Sequence, residues 1–302
     1  MHPSHLDRCA GALVGLACGD AVGTSVEFRS RGSFTPLCDM VGGGPFHLAP
    51  GQWTDDTSMA LCLAESLLSK NGFDARDQMG RYLNWWQWGY LSSTGECFDI
   101  GGTVSAALKR FQQTNEAFSG SEDPASAGNG ALMRLAPIVL FFYPDLSKVQ
   151  RFAVDSTRTT HAAPEAIDCS RLLAHVLALG LDGEGKNKML DASVLDLPSP
   201  KVAALARGQY LEKDVTQIAG TGYAVASLEA ALWCFNATES FEQAVLCAAN
   251  LGDDADTTAA IVGQVAGAHY GIEAIPVSWR ARLHMGAEIE AIGRQLGGAR
   301  VA

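Results

Sequence analysis

The sequence predicts an all-α protein, and three observations support that prediction. Apolar residues recur at helical spacing through most of the 302-residue chain, whereas no segment alternates clearly with the period of two that marks a half-buried strand. Apolar residues make up 47% of the chain, which is ample for a sizeable core. No clear linker and no solenoid-type repeat interrupts the pattern. We therefore expect a single all-α domain over residues 1–302.

The individual helices are predicted from where the apolar periodicity begins and ends. The first helix runs through the apolar segment Cys9–Cys18, and the second follows a polar segment at 52–57 and continues through Leu67. Further helices are predicted over 73–90, 104–111, 164–181, 224–235, 240–250 and 257–270, with another starting near Leu132.

A stripe of small residues links the first and last of these helices. Glycine recurs at every fourth position of the first helix, and small residues do the same in the helix over 257–270. The two sets are Gly11, Gly15, Gly19, Gly23 and Ala259, Gly263, Gly267, Gly271. Glycine costs about 1 kcal/mol in a helix interior, so such a stripe indicates that another backbone packs close along it. We expect the two helices to pack together and to hold a functional site.

Charge and cysteine usage exclude several classes of protein. The formal charge of −11 without a basic run argues against nucleic acid or an anionic membrane as a main partner. The eight cysteines include no C-x-x-C pair and lie mostly in apolar helical stretches, which is typical of buried thiols in the cytoplasm. The run Cys9–Cys18 falls short of the roughly 18 apolar residues of a membrane span and follows Asp7 and Arg8, so it predicts a mature buried helix.

The segment Leu251–Thr258, Leu-Gly-Asp-Asp-Ala-Asp-Thr-Thr, is the first candidate metal site. Its acids lie at the first turn of a predicted helix, where the helix dipole favours negative charge. Carboxylate and hydroxyl oxygens suit Mg²⁺, Mn²⁺ or Ca²⁺, whereas the imidazole and thiolate ligands of zinc are missing here. One Asp would satisfy an ordinary cap, and three Asp within four residues exceed that need. Taken alone, the run leaves a ligand site and a helix cap as even alternatives.

A second acidic run, Gln52–Thr57 (Gln-Trp-Thr-Asp-Asp-Thr), has the same chemistry at the start of another helix. Adjacent residues in a helix interior diverge by about 100°, but near an N-terminus both can reach one cluster. Carboxylates from two such runs in one pocket would need counter-ions. Two divalent metals about 3.5–4 Å apart are a recurrent catalytic arrangement. Our hypothesis is that the two helix starts share a pair of divalent cations.

Other polar residues near helix ends have both a functional and an ordinary interpretation. Asp20 and Glu27 lie around the end of the first helix, and their ordinary interpretation is that of solvated surface acids. Asp99 precedes a helix and serves equally well as a cap. His161 lies in a polar loop with several hydroxyls, as a ligand contact or a cap, and Tyr223 offers a ligand its ring face and hydroxyl.

The segment Gly128–Gly130, Gly-Asn-Gly, precedes a predicted helix whose free N–H groups would hold a phosphate. Arg134 adds positive charge nearby. This motif is weak when taken alone, because turns use glycine and asparagine without any ligand.

The order of the motifs resembles the ADP-ribosylglycohydrolase family, which includes the dinitrogenase reductase-activating glycohydrolases. The resemblance spans about residues 8–271, and it is specific because seven motifs occur in the family's order. They are Gly-Asp-Ala-Val-Gly-x3-Glu27, Trp-Thr-Asp-Asp-Thr57, Phe-Asp-Ile-Gly101, Gly-Asn-Gly130, Thr-His161, Gly-Tyr223 and Gly-Asp-Asp-Ala-Asp-Thr257.

The resemblance implies a compact all-α domain, built as an orthogonal helical bundle, with two Mg²⁺ or Mn²⁺ ions in a cleft. It also implies removal of ADP-ribose from a modified side chain. By motif position, the metal ligands would be Thr54, Asp55, Asp56, Asp254, Asp256 and Thr257, whereas Asp253 does not match a ligand. The catalytic residues would be Asp99 near the scissile bond, Glu27 at the substrate entrance, and Asp55. The diphosphate and ribose would lie against Gly128, Asn129, Gly130 and His161, with Tyr223 on the ribose or adenine side.

The acceptor that carries the ADP-ribose stays open at this stage. Many arginine-type members have Asn where this chain has Gly102, and this departure leaves the acceptor undecided. Arginine is favoured, and serine, a nucleic-acid base and a small ADP-ribosyl metabolite are the alternatives. A non-enzymatic ADP-ribose-binding relative would typically lack metal ligands, which this chain keeps. Phosphate-ester hydrolysis and immunity against a toxin are further alternatives. The expected partners are an ADP-ribosylated protein and ADP-ribose, with no nucleic acid or membrane, and we predict a cytoplasmic monomer.

Overall fold

The computed structural model describes residues 3–299, and within that range the chain consists of helices and connecting segments without a β-strand. The α-helices are α1 (His5–Gly23), α2 (Asp55–Lys70), α3 (Ala75–Trp88), α4 (Gly102–Thr114), α5 (Ala136–Phe142), α6 (Leu146–Arg158), α7 (Pro164–Leu181), α8 (Lys186–Leu190), α9 (Pro200–Ala206), α10 (Ala224–Ala237), α11 (Phe241–Ala249), α12 (Ala255–Tyr270), α13 (Val277–Arg282) and α14 (Gly286–Gly297). Short 3₁₀ helices lie at Thr24–Val26, Pro124–Ser126, Val215–Gln217 and Ile272–Ala274. The all-α prediction is confirmed.

Helices α1 and α12 pack antiparallel along the predicted stripe of small residues. A Cβ atom added to Gly19 would lie 2.1 Å from the carbonyl oxygen of Ala259, and one added to Gly263 would lie 2.1 Å from that of Gly15. Real Cβ atoms do not approach a backbone so closely, so the helices can meet only because these positions lack side chains. The C-terminal end of α1 consequently lies beside the N-terminal end of α12.

Helix α1 is a core helix. Residues His5–Val26 reach a mean hydropathy of 1.4, so by length and composition this segment passes a test for a membrane span. In the structure 94% of that apolar window is buried against other parts of the chain, notably α12 and α14. This burial agrees with the prediction that the segment forms a buried helix.

A smaller apolar cluster holds α3 and α4 against the outer face of α2. Tyr82 and Trp85 of α3 pack there with Leu108 of α4 and Met59 of α2, all of them buried. Because α4 is held in this way, the loop that precedes it and its first turn face the beginning of α12 across a cleft.

One predicted helix begins later than expected. The residues after the Gly-Asn-Gly segment form turns, and the next helix starts at Ala136 rather than near Leu132. The carbonyl oxygen of Asn129 accepts hydrogen bonds from the N–H groups of Leu132 (2.8 Å) and Met133 (3.3 Å), which closes a tight turn. The other predicted helices are present, with ends within a few residues of their predicted positions.

Candidate active site

The buried carboxylate of Asp20 holds the start of α2 in place. Its two oxygens accept four hydrogen bonds, from the N–H and Oγ1 of Thr54 (2.9 and 3.0 Å) and from the N–H and Oγ1 of Thr57 (3.0 and 2.6 Å). Asp20 therefore satisfies N–H groups at a helix end that Thr54, the N-cap residue, leaves without a side-chain acceptor. The interpretation of Asp20 as a solvated surface acid is wrong, because its side chain is fully buried.

The first turns of α2 and α12 lie in direct contact. Thr257 donates from Oγ1 to Asp56 Oδ1 (3.2 Å), and Thr54 Oγ1, which donates to Asp20, lies 3.4 Å from Asp256 Oδ2. Asp56 and Asp256 are both almost completely buried. The structure thus brings the two acidic runs of the sequence together, across about two hundred residues of chain.

Two further acidic side chains, those of Glu27 and Asp99, converge on Asp256 at this point. Side-chain oxygens of Glu27, Asp99 and Asp256 lie within 4.8 Å of one another, close enough to bind a single metal ion. Glu27 follows the end of α1, which lies beside α12, and Asp99 lies in the segment before α4. Asp256 belongs to the predicted ligand set, whereas Glu27 and Asp99 were assigned by resemblance to catalysis.

The residues present fit divalent cations. Within the described part of the chain, the buried oxygens Glu27 Oε2 and Asp56 Oδ2 have no hydrogen-bond partner. No salt bridge to Lys or Arg neutralises the cluster there either. Buried negative charges without partners are costly, and hard oxygen ligands are those that Mg²⁺ and Mn²⁺ prefer.

The electrostatics of the cluster show the same need for counter-ions. Burial, followed by repulsion from Asp99, raises the pKa of Glu27 to about 9. Burial raises the pKa of Asp99 to about 7, and it raises the pKa values of Asp55 and Asp256 well above their ordinary range. At neutral pH the protein alone cannot hold all these groups ionised. Cations would allow the cluster to keep its charge.

The cluster forms the floor of a cleft of about 860 Å³, which is large enough for a nucleotide-sized ligand. Glu27, Asp55 and Asp254 line it from the side of the helix starts. The first turn of α4, the Gly128–Gly130 segment and His161 line the rest of the cleft. Four of the predicted metal ligands, Asp55, Asp254, Asp256 and Thr257, thus border one space with the catalytic candidates and the phosphate-contacting segment. Thr54 and Asp56 are buried beneath them and do not line it.

Asn129 joins the glycine-rich segment to the acidic cluster. Its amide nitrogen donates to Asp254 Oδ2 (2.7 Å) and to Ser227 Oγ (3.1 Å), while its backbone N–H donates to the carbonyl oxygen of Gly222 (3.1 Å). The segment is therefore held against α10 and α12 together. Its position in the cleft does not depend on the helix that the sequence predicted behind it.

A chain of hydrogen bonds sets the protonation of His161. Arg134 donates from Nη2 to Thr160 Oγ1 (2.7 Å), and that hydroxyl lies 2.8 Å from His161 Nδ1. The guanidinium of Arg134 can only donate, so Thr160 Oγ1 accepts from it. The hydroxyl proton of Thr160 then points to His161 Nδ1, because the described residues offer it no other acceptor. The imidazole proton then lies on Nε2, which faces the Gly128–Gly130 segment.

His161 is consequently a neutral hydrogen-bond donor in the cleft. Burial, and then the charge of Arg134, lowers its pKa to about 3. Arg134 itself does not reach the cleft, contrary to the expectation that it adds charge near a phosphate. Its guanidinium is buried over the ring of Tyr82, 4.8 Å from the ring centroid.

Tyr223 does not line the acidic cleft. Its ring borders an adjoining pocket of about 510 Å³ together with Glu165 and Lys201. The hydroxyl donates to Glu165 Oε2 and accepts from Lys201 Nζ (2.8 Å). Its backbone pairs with Gly128, so this pocket begins where the glycine-rich wall ends. The predicted contact of Tyr223 with the ribose or adenine remains a prediction.

Sequence reasoning missed two residues that organise the site. Asp20 follows Gly19 of the small-residue stripe in a helix that is otherwise apolar from Cys9 to Gly23, and this context was a sign of burial. Thr160 precedes His161 and carried no signal, because its role depends on Arg134, which lies far away in the sequence.

Comparison with known proteins agrees with this geometry. The sequence model of the ADP-ribosylglycohydrolase family matches residues 1–302. The chain is 43% identical over 291 residues to the ADP-ribosylarginine hydrolase Tri1 of Pseudomonas putida (strain GB-1), which covers 96% of this chain and 78% of that protein. It is 31% identical over 298 residues to the ADP-ribosyl-(dinitrogen reductase) glycohydrolase of Rhodospirillum rubrum. That match covers 97% of this chain and 96% of the Rhodospirillum rubrum protein.

A solved structure shows the same fold. It is described as an ADP-ribosylglycohydrolase-related protein complex, and it superposes with a TM-score of 0.86 at 43% identity, covering 98% of this chain and 99% of that chain. With the family model matching the whole sequence, this chain belongs to the ADP-ribosylglycohydrolase family.

Proposed function

We propose that this chain is a metal-dependent ADP-ribosyl hydrolase that cleaves the glycosidic bond between ADP-ribose and a modified arginine side chain. The observation that carries the proposal is the single cleft in which a buried, uncompensated acidic cluster faces the Gly128–Gly130 segment and His161. The relatives from Pseudomonas putida and Serratia proteamaculans, at 43% and 42% identity, are named ADP-ribosylarginine hydrolases, which favours arginine over serine, a base or a metabolite.

The glycine-rich wall supports binding of the diphosphate. Gly130 lets the imidazole of His161 lie directly against the segment, because a Cβ atom added there would lie 2.9 Å from His161 Cε1. The neutral imidazole offers a donor from Nε2 to a phosphate or ribose oxygen over the whole physiological pH range. We propose that Gly128, Asn129, Gly130 and His161 bind the diphosphate and the ribose next to it.

The acids would act on the opposite side of the ribose. Cleavage at the anomeric carbon develops oxocarbenium character, so nearby carboxylates stabilise the positive charge and position the attacking water. Asp99, Glu27 and Asp55 line the cleft and are the residues we assign to this role. A negatively charged floor also favours a cationic guanidinium as the group attached to the ribose.

We assign the metal site to both helix starts. The ligands would be Thr54, Asp55 and Asp56 from α2 and Asp254, Asp256 and Thr257 from α12. Two divalent cations there, Mg²⁺ or Mn²⁺, would polarise and orient the ribose hydroxyls or a water molecule. Asp20 holds the start of α2, and so its ligands, in place through hydrogen bonds within the protein. This positioning does not depend on a bound cation.

A panel of ADP-ribosylated peptides tests the acceptor. Peptides that differ only in an arginine or serine conjugate are incubated with the protein and Mg²⁺ or Mn²⁺, and the products are identified by mass spectrometry. We expect intact ADP-ribose and unmodified peptide from the arginine conjugate. Release from the serine conjugate alone would reassign the acceptor, and release of AMP would indicate cleavage of the diphosphate instead.

A further inference from the structure

The mouth of the cleft carries an aromatic side chain that the proposed chemistry does not use. Phe28 directly follows Glu27, lines the cleft and is 68% exposed. Its backbone lies in the left-handed region (φ = 62°), which a bulky residue rarely adopts. A large apolar ring that stays in solvent on a strained backbone beside an active site calls for a functional explanation.

The backbone around Phe28 is held so that its ring stays at the mouth. Its N–H donates to the carbonyl oxygen of Asp253, and the N–H of Asp253 donates to the carbonyl oxygen of Arg29, both at 2.8 Å. Asp253 is itself left-handed (φ = 57°), and Gly252 comes so close that an added Cβ atom would lie 2.4 Å from the carbonyl oxygen of Arg29. The position of Phe28 is thereby tied to the segment that leads into α12.

Two more phenylalanines support the ring of Phe28. The ring of Phe46 lies edge-on to it at 6.4 Å between centroids, and the ring of Phe98 lies 5.1 Å from Phe46. Phe98 precedes Asp99 as Phe28 follows Glu27. We call Phe28, Phe46 and Phe98 the aromatic rim. Of these three residues Phe28 lines the cleft, next to Glu27 in the chain, and Phe46 and Phe98 extend the aromatic contact away from it.

The proposed orientation of ADP-ribose determines which part of the substrate contacts the aromatic rim. If the diphosphate lies on the glycine-rich wall and the anomeric carbon lies at the acids, the group attached to that carbon must point to the mouth. The guanidinium of a modified arginine is planar and cationic, and such groups stack on aromatic faces. Glu27 and Asp99 line the same cleft as Phe28 and offer carboxyl oxygens to the N–H donors of the guanidinium. A serine acceptor would bring neither a flat face nor a positive charge.

We propose that Phe28, supported by Phe46 and Phe98, forms the acceptor subsite, in which its ring receives the guanidinium of the ADP-ribosylated arginine. This proposal rests on the proposed hydrolase function and makes Phe28 a determinant of acceptor specificity. Because free ADP-ribose has no guanidinium, the ring contributes to binding of the arginine conjugate and not to binding of ADP-ribose.

The test compares Phe28→Leu, which keeps an apolar side chain but removes the ring, with Phe28→Tyr, which keeps the ring. Trp88→Leu is the matched control, because Trp88 is an aromatic residue 76% exposed outside the cleft. The measurements are kcat/KM for an ADP-ribosyl-arginine peptide and the Kd of ADP-ribose by calorimetry, both with saturating Mg²⁺. Thermal unfolding verifies that the variants fold.

We expect Phe28→Leu to lower kcat/KM for the arginine peptide by about 3- to 30-fold, the range that a cation–π contact implies between exposed and desolvated sites. Phe28→Tyr and Trp88→Leu should stay within about twofold of the wild type, on the same scale. The Kd of ADP-ribose should not change in any variant. Wild-type kinetics in Phe28→Leu, or an equal loss of ADP-ribose affinity, would overturn the proposal.

Failure of the proposed function gives a different result. If the wild-type protein leaves the arginine conjugate intact, that conjugate becomes a stable ligand, and its Kd replaces kcat/KM in the same three variants. If Phe28→Leu then weakened binding of the arginine conjugate and not binding of ADP-ribose, the result would support the acceptor subsite in a binding protein. Equal affinities of the wild type and Phe28→Leu for the conjugate would reject it.

Discussion

Replacing Asp20 by Asn tests whether this residue builds the metal site from a distance. The two side chains have nearly the same shape, but an amide has only one acceptor oxygen. One oxygen can still accept from the N–H and hydroxyl of Thr54 or of Thr57, while the amide NH₂ faces the other pair. A hydroxyl can rotate to accept from that NH₂. The backbone N–H beside it cannot, and it is left buried without a partner.

The size of the effect follows from these contacts. An unsatisfied buried donor costs about 1–3 kcal/mol, and the remaining hydrogen bonds lose the extra strength of a charged acceptor. We therefore expect the free energy of unfolding of the metal-loaded protein to fall by about 2–4 kcal/mol. Residues that orient metal ligands typically contribute 10- to 100-fold to metal affinity, and we expect Asp20→Asn to weaken Mn²⁺ binding by that factor. The metal-free protein should lose less stability, because the substitution also removes one negative charge from a crowded acidic cluster.

Calorimetric titration with Mn²⁺ and thermal unfolding with and without Mg²⁺ measure both effects. Asp7→Asn is the matched control, because Asp7 is a carboxylate on the same helix that caps its exposed N-terminus and pairs with Arg294 (3.1 Å). Asp7→Asn should lower the free energy of unfolding by about 1 kcal/mol and leave Mn²⁺ affinity unchanged. Wild-type Mn²⁺ affinity in Asp20→Asn would refute the role we give to Asp20.

Three further predictions concern the residues around the cleft. Thr160→Val should shift the His161 tautomer, seen in ¹⁵N NMR as loss of a pure Nε2–H species, and weaken ADP-ribose binding, while Thr160→Ser should restore both; an unchanged spectrum would contradict the hydrogen-bond chain. Asp99→Asn should bind ADP-ribose normally but turn over about 10²- to 10⁴-fold more slowly, and wild-type turnover would remove Asp99 from catalysis. The pKa of His161 is about 3 in the folded protein against 6.5 for an ordinary histidine, so the unfolded chain binds a proton that the folded one does not, and stability falls as the pH drops from 6.5 towards 3. His161→Gln should therefore make the dependence of unfolding free energy on pH shallower over that range, and an equal slope would argue against a neutral buried His161.

The helices and the main helix pair could be predicted because their signals are local. Periodicity and caps are properties of short segments, and the stripes at Gly15 and Gly263 show in the sequence how closely the two helices pack. The meeting of the two acidic runs was predicted from their shared chemistry. Helix α1 places Asp20 and α12 places Asp256 at that meeting point, so the glycine stripe also positions the site.

The parts that the sequence did not predict depend on contacts between distant segments. Arg134 points into the core because Tyr82 and Thr160 receive its guanidinium, and nothing near Arg134 in the sequence indicates this. Tyr223 turns towards Lys201 for the same kind of reason. The exposure of Phe28 depends on its pairing with the backbone of Asp253. The cytoplasmic location and the monomeric state stay predictions.

The most direct test of the central claim is hydrolysis of an ADP-ribosyl-arginine peptide by EDTA-treated protein, before and after Mg²⁺ or Mn²⁺ is added back. Asp256→Ala, which should keep the helical circular dichroism spectrum, serves as the comparison. We predict no release of ADP-ribose by the treated wild type, recovery when metal is added, and none in Asp256→Ala under either condition. Full activity of the EDTA-treated protein without added metal would contradict the account.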